Sequence, residues 1–329
     1  MVRRLTYLIF ISLFAYCLLP TPNSFSWGFY GHKRINKMAV FTLPPEMIGF
    51  FKKHIDFISE HAVDPDKRRY ASEFEAPRHY IDLDHYGQNP FDSLPKFWKA
   101  AVAKYSEDTL NAHGIVPWWV DKMLYKLTDA FKNQNAELIL HYAADIGHYI
   151  ADAHVPLHTT KNYNGQFTGQ KGIHAFWESR VPELLADNYD YFTGQAKYIE
   201  KPLDAIWKAV KESFYAKDSV LLFEAELNKS FPADKKYAYE NRGNSTVKVY
   251  SEEYTKAYDK MLNGMVERRM RESIRMVGSL WYTAWVNAGQ PDLSKIETRE
   301  FSDSVKKAHE EMELMWKTGK PKNGHGHED

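Results

Sequence analysis

Residues 147–158, GHYIADAHVPLH, put His148, Asp152, His154 and His158 within twelve positions. A chain must either hold so many polar groups in water or bury them around shared partners, because an unpaired buried charge is too costly. His148 and Asp152 stand four apart, so on a helix they lie one above the other on a single face. Pro156 bends or ends that helix, which releases His158 from the stripe and lets it point at a different place in the same cavity. That is the layout of a metal site.

Other segments carry matching groups. HAFWE repeats the four-residue spacing with His174 and Glu178 on a second predicted helix. HAVDPDKRRYASEFEAPRHYIDLDHYG supplies Asp64, Asp66, His79, Asp82, Asp84 and His85 around a predicted loop, and His32 stands in SWGFYGH. Zinc accepts imidazole nitrogen and carboxylate oxygen, and a site for several ions needs ligands converging from several segments. Taken singly, Asp64 and Asp66 equally suit the cap of a turn before Lys67, and Asp82 and Asp84 an exposed loop.

Apolar residues recur every three or four positions through most of the chain, and β-branched alternating runs are scarce, so the fold class expected is all-α. Helices are predicted at Lys33–Val40, Pro45–Ala62, Leu94–Tyr105, Pro117–Gln134, Ala136–Ala153, His174–Leu185, Tyr198–Lys217 and Glu252–Ala288. With no internal repeat and no linker, residues 27–301 read as one multi-helix domain, followed by a polar, partly unfolded tail over 302–329 in which His325 and His327 are solvated. Arg3 and Arg4, the apolar run Leu5–Leu19 and the small residues Ser24 and Ser26 have the layout of a cleaved secretory signal over residues 1–26. The expected product is a periplasmic or extracellular protein beginning at Trp27, with no stable membrane span and without Cys17, the only cysteine. The balance of 43 basic and 43 acidic residues becomes 41 to 43 once Arg3 and Arg4 are removed, which leaves no basic excess to grip duplex nucleic acid or an anionic membrane. No protein partner is implied.

In order, Trp27 and His32 in WGFYGH, Asp64 in AVDPD, His79 in RHYID, His148 and Asp152 in GHYIAD, His158 in VPLH, and His174 with Glu178 in HAFWE resemble the ligand series of one superfamily. It is shared by the zinc-dependent single-strand-specific nucleases of P-one type and the bacterial zinc-dependent phospholipases C. The resemblance implies a helical domain enclosing three zinc ions. Asp64, His79, His148 and Asp152 would hold one ion, with Asp66 an alternative to Asp64. Trp27, through its α-amine and carbonyl, would join His32 and Asp152 on the second, and His158, His174 and Glu178 would hold the third. Asp152 would bridge two ions, and Asp64 would orient the water that attacks a phosphodiester. An α-amine titrates at roughly 7.7 to 8, so it gives up its proton to a metal at little cost. Of the remaining groups, His85 and His154 are not needed as ligands, and His141 with Asp145 either steadies the ligand imidazoles or belongs to the core.

Two substrates fit this resemblance. The short WGFYGH spacing, the step of fifteen from Asp64 to His79 and the run DAHVPLH favour single-stranded DNA or RNA. Tyr80 would then stack a base, and Lys67, Arg68 and Arg78 would contact phosphate. Glu178 at a position where the nucleases usually carry Asp, the short loop from His158 to His174 and the lack of disulfides favour phospholipid. A third reading, a non-catalytic binding protein stabilised by zinc, would call for closed four-ligand sites, whereas the third site here has three protein ligands. One prediction follows from the N-terminal ligand. A protein with one Met preceding Trp27 should bind less zinc and turn over more slowly than one starting at Trp27; equal zinc and equal rate, with both termini confirmed by mass spectrometry, would remove Trp27 from the ligand set.

Overall fold

The helix expected at Ala136–Ala153 forms between those two residues and lies at the centre of the structure. The computed structural model describes residues 28–243, 245–296, 303–319 and 321–322. The expected signal segment, Trp27, Cys17, His325 and His327 lie outside the described residues. The main helices are α1 Gly28–Val40, α2 Pro45–Lys53, α3 Ile55–Glu60, α4 Asp64–Arg68, α5 Trp98–Tyr105, α6 Val116–Lys132, α7 Ala136–Ala153, α8 Pro202–Ser230, α9 Glu252–Leu262, α10 Met265–Asn287 and α11 Asp303–Thr318. A two-stranded antiparallel hairpin, Tyr237–Arg242 with Ser245–Tyr250, accompanies the helices of a domain that is mostly helical, as expected. The TVKVY run alternates as a strand does, and Gly243 at φ +59° makes the turn. None of the described helices is long and apolar enough to cross a membrane.

Asn135 starts α7 by accepting the Leu138 amide on its side chain at 3.1 Å, and every residue from Ala143 to Ala153 is buried. A helix without a wet face must be covered on all sides. Here α6, α10 and α1 pack against α7, while α8 lies on α6 and on the short turn Pro156–Thr159 that follows α7. Trp281 of α10 donates its indole N–H to the Ala143 carbonyl at 3.0 Å, and Arg269 of the same helix donates to the His154 carbonyl at 3.0 Å. The two ends of the ligand-bearing segment are thus tied to one supporting helix.

Several predicted helices are divided in the structure. His54, at φ −112° and ψ 22°, separates α2 from α3. Asn263 and Gly264, both left-handed at φ 51° and φ 70°, separate α9 from α10. Two successive left-handed residues cannot continue a right-handed helix, and Asn-Gly is the pair that adopts them most readily. The segment read as a polar tail contains α11, which packs on α4.

Gly147 faces α1 at close quarters. An added Cβ would lie 1.9 Å from Asn36 Oδ1, and Asn36 is fully buried with its amide donating to the Ile58 and Ala144 carbonyls at 3.3 and 3.0 Å. Alanine is the better helix former by about 1 kcal/mol, but displacing Asn36 forfeits two buried hydrogen bonds and overpacks the contact at about 1–3 kcal/mol. Gly147→Ala should therefore lower the melting temperature, by ~2–4 °C for each net kcal/mol. An unchanged or raised midpoint by calorimetry would show that α1 and α7 do not meet this tightly.

Candidate metal centre

Four separate segments converge on the carboxylate of Asp152, which is 2 % exposed. Its Oδ2 lies 2.9 Å from His79 Nδ1 and 3.1 Å from His148 Nε2, and its Oδ1 lies 3.5 Å from both His32 Nε2 and His158 Nδ1. His148 comes from one turn earlier on α7 and His32 from α1, where its ring stacks on His148 at 3.9 Å. His158 is delivered by the turn Pro156–Thr159. His79 precedes an extended segment held from both sides, with Ile81 donating to the His158 carbonyl at 2.8 Å and Asp82 to the His113 carbonyl at 2.7 Å. Gly114, at φ +87°, permits this clamp, since a side chain there would run into the Tyr80 carbonyl at 2.2 Å.

Beside this group His158 Nε2, His174 Nε2 and Glu178 Oε2 form a triangle with edges of 3.0, 3.0 and 3.4 Å. His174 and Glu178 do not sit on one continuous α-helix. A single turn, Ile173–Ala175, passes into a π-helical stretch at Phe176–Arg180, a feature that recurs at functional sites.

Hydrogen bonds behind the rings fix their tautomers. A carbonyl can only accept, so His148 Nδ1 donates to Ala62 at 2.9 Å, which turns Nε2 toward Asp152. His158 Nδ1 donates to the His79 carbonyl at 2.8 Å, which turns its Nε2 toward His174. His79 Nδ1 lies 3.0 Å from His148 Nε2, and His158 Nε2 lies 3.0 Å from His174 Nε2. Imidazole nitrogens directed at one another among carboxylate oxygens are a donor set that a cation satisfies, and zinc takes this mixture. Donor atoms of His79, His148 and Asp152 lie within 4.8 Å of one another, as do those of His158, His174 and Glu178. The residues present fit zinc.

Of the two acids, Asp66 and not Asp64 is the one turned toward the cluster. Asp66 brings Oδ1 to 3.8 Å from both His79 Nδ1 and His148 Nε2, and its Oδ2 is buried with no hydrogen-bond partner. Asp64 faces the other way, with Oδ2 at 2.6 Å from His61 Nδ1 and Oδ1 at 3.7 Å from Lys67. Two residues on a helix point about 200° apart, so one short helix cannot aim both at the same ions. The same geometry places Arg69, three positions after Asp66, on the wall of a cleft shared with His79, Tyr80, His158, Tyr163 and His174.

Three residues expected at phosphate are engaged elsewhere. Lys67 pairs with Glu313 of α11 and sits near the Phe29 and Trp316 rings at 5.9 and 5.6 Å. Arg68 binds Asp145 at 2.7 Å and Tyr149 at 3.3 Å. Arg78 pairs with Glu75 and stacks on Trp119 at 3.8 Å. Tyr80 does line the cleft, but it is 6 % exposed, while Tyr163 beside it is half-buried. The sequence reading missed Arg69 and Tyr163; the spacing Asp66–Arg69 was the available signal for the first. His141 lies 3.8 Å from Asp145, away from the ligand rings, His85 stacks on His113 at 3.4 Å, and His154 Nδ1 donates to Ile150.

Burial alone would push His148 down, but the charges of Asp152 and then Asp66 outweigh it and raise its pKa to about 9. Because this lies above the unfolded value near 6.5, the charged ring contributes stability that is complete below about pH 6.5 and is lost as pH rises through about 9. Metal-free protein should accordingly melt at lower temperature at pH 9 than at pH 7. Zinc binding at pH 7 should release protons, as seen by calorimetry in buffers of different ionisation enthalpy. A flat melting temperature, or no proton release, would contradict a charged His148.

No match to a curated protein was found. The sequence profile of the S1/P1 nuclease family matches residues 27–275, which include every described residue of the two clusters. The chain therefore belongs to the S1/P1 nuclease family, the zinc-dependent single-strand-specific nucleases that hydrolyse phosphodiester bonds.

Proposed function

We propose that three zinc ions occupy the centre and that the protein is an exported nuclease of single-stranded nucleic acid. The observation that carries this reading is the division of labour at Asp152, whose Oδ2 faces His79 and His148 while its Oδ1 faces His32, with the His158–His174–Glu178 triangle beside them. Asp66, His79, His148 and Asp152 would hold the first ion. His32, Asp152 and the α-amine and carbonyl of Trp27 would hold the second, and His158, His174 and Glu178 the third. The family match begins at Trp27, directly after the expected cleavage point at Ser26, which supports export with a mature N-terminus that serves as ligand.

Zinc held here would supply Lewis acidity and a water acidified to near neutrality. The chain's own groups complete the chemistry. Asp66 Oδ2, buried and without a hydrogen-bond partner, would accept a proton from the attacking water. Arg69 places a guanidinium on the cleft wall, where it offsets charge on the non-bridging phosphoryl oxygens. Tyr163 offers a half-buried ring to a base, with Tyr80 as the cleft wall behind it. Duplex is a poor fit, since its bases are not free to stack on protein and the chain has no basic excess. Family membership favours nucleic acid over the phospholipid alternative.

Zinc-loaded protein starting at Trp27 should cut single-stranded oligonucleotides with little sequence preference, cut duplex slowly, and lose activity with a chelator. Head-group release from phospholipid vesicles without strand cleavage would overturn the substrate. Tyr163→Ala should raise KM by an amount equivalent to roughly 1–3 kcal/mol, the usual worth of a base–aromatic stack, with a smaller change in kcat. Asp152→Asn should be the most damaging single change, lowering zinc content and rate together; wild-type zinc and rate would refute the bridging role.

A further inference from the structure

The face of α4 that turns away from the catalytic cluster carries another convergence of ligating groups. His61 Nδ1 lies 2.6 Å from Asp64 Oδ2, and His309 of α11 brings its Nε2 to 3.8 Å from the same oxygen. The three donor atoms lie within 4.8 Å of one another, and the two rings approach to 4.6 Å between centroids. Asp64 is 1 % exposed, whereas the side chains of His61 and His309 keep 26 % and 24 % of their surface in solvent. Lys67 approaches only the other oxygen, Oδ1, at 3.7 Å, and shares its charge with Glu313.

We propose that His61 Nδ1, Asp64 Oδ2 and His309 Nε2 form a separate site for one divalent cation of the zinc class, which fastens α11 to the catalytic domain. Two imidazoles and a carboxylate are a ligand set that zinc takes, with water in the fourth position. Bonds of about 2.0–2.1 Å in tetrahedral array place neighbouring donors about 3.3 Å apart. The observed 2.6 and 3.8 Å bracket that spacing, so binding needs only small rotations of two partly exposed rings. A cavity of about 520 Å³, lined in part by His309, His141, Phe57 and Met312, opens beside the trio and gives ion and water a route in. The donors come from either side of a large sequence separation, and His309 lies beyond the 27–275 family span. The site therefore depends on this chain's own C-terminal helix.

The test is zinc stoichiometry of the full mature chain by elemental analysis, together with titration against a competing chelator. Wild type should hold one ion more than His309→Ala and one more than His61→Ala, whatever the total in the catalytic centre. The milder His309→Gln should weaken that ion by about tenfold or more, and wild type should show one stabilising zinc step more than His309→Ala and His61→Ala in a titration followed by melting temperature. Circular dichroism confirms that the variants are folded. Equal stoichiometry and equal affinity in wild type, His309→Ala and His309→Gln would overturn the proposal, and loss of activity at unchanged zinc content would count against it as well.

Discussion

A carboxylate sealed from water is the constraint on which the rest of the structure depends. Removing an anion such as Asp152 from solvent costs several kcal/mol after relaxation, and the cost is offset only by partners in good geometry. Four imidazoles supply them, from α1, from the extended segment at His79, from α7 and from the turn after it. Apolar packing of α1 on α7 and the hydrogen bond from Ile81 to the His158 carbonyl help bring these pieces to one point. The helices around α7 can be read as the scaffold that brings them there and keeps bulk water out.

Behind the imidazoles lies a second polar layer that serves stiffness rather than reaction. Glu75, fully buried, accepts from Tyr149 and Arg78 and lies 3.7 Å from His79 Nε2. Burial pushes its carboxyl up, but the contact with His79 and the charges of Arg68 and Arg78 outweigh that and hold it well below the usual carboxylate range. Arg68 in turn pairs with Asp145 on α7. Two guanidinium groups that lie close to the centre in sequence are thus spent on holding His79 and α7 in place. The positive charge that faces the cleft is Arg69.

Much of this was legible in the sequence because it is local. The four-residue spacing His148–Asp152, the break at Pro156 and the bounds of α7 are set by helical geometry within a single segment, whereas His174 and Glu178 meet across a passage from one α turn into a π-helical stretch. What escaped depended on direction or on distant contacts. Asp64 and Asp66 are two residues apart in DPD, and only the orientation of α4 decides which one faces His79. Lys67, Arg68 and Arg78 look like phosphate contacts until their partners, Glu313, Asp145 and Glu75, fold against them. The Asn263–Gly264 break had a local signal, but strong apolar periodicity on either side masked it. The tail read as polar is amphipathic when coiled, and its helix finds its place through α4, more than two hundred positions earlier, as the Lys67–Glu313 pair shows.

The indole of Trp281 reaches back 138 positions to the Ala143 carbonyl, and Arg269 reaches back 115 to His154. The described cluster residues are all in hand by Glu178, yet α10, which steadies them, begins only at Met265. Closing so long a loop costs chain entropy before its contacts reward it, so the bracing of α7 by α10 belongs to the non-local part of the fold. A chain ending before Met265 would carry the described ligands with α1, α6 and α8 around them but without the two ties from α10. The two ties that brace the ends of the ligand-bearing segment thus come from the last quarter of the polypeptide, after every described ligand they steady has been made.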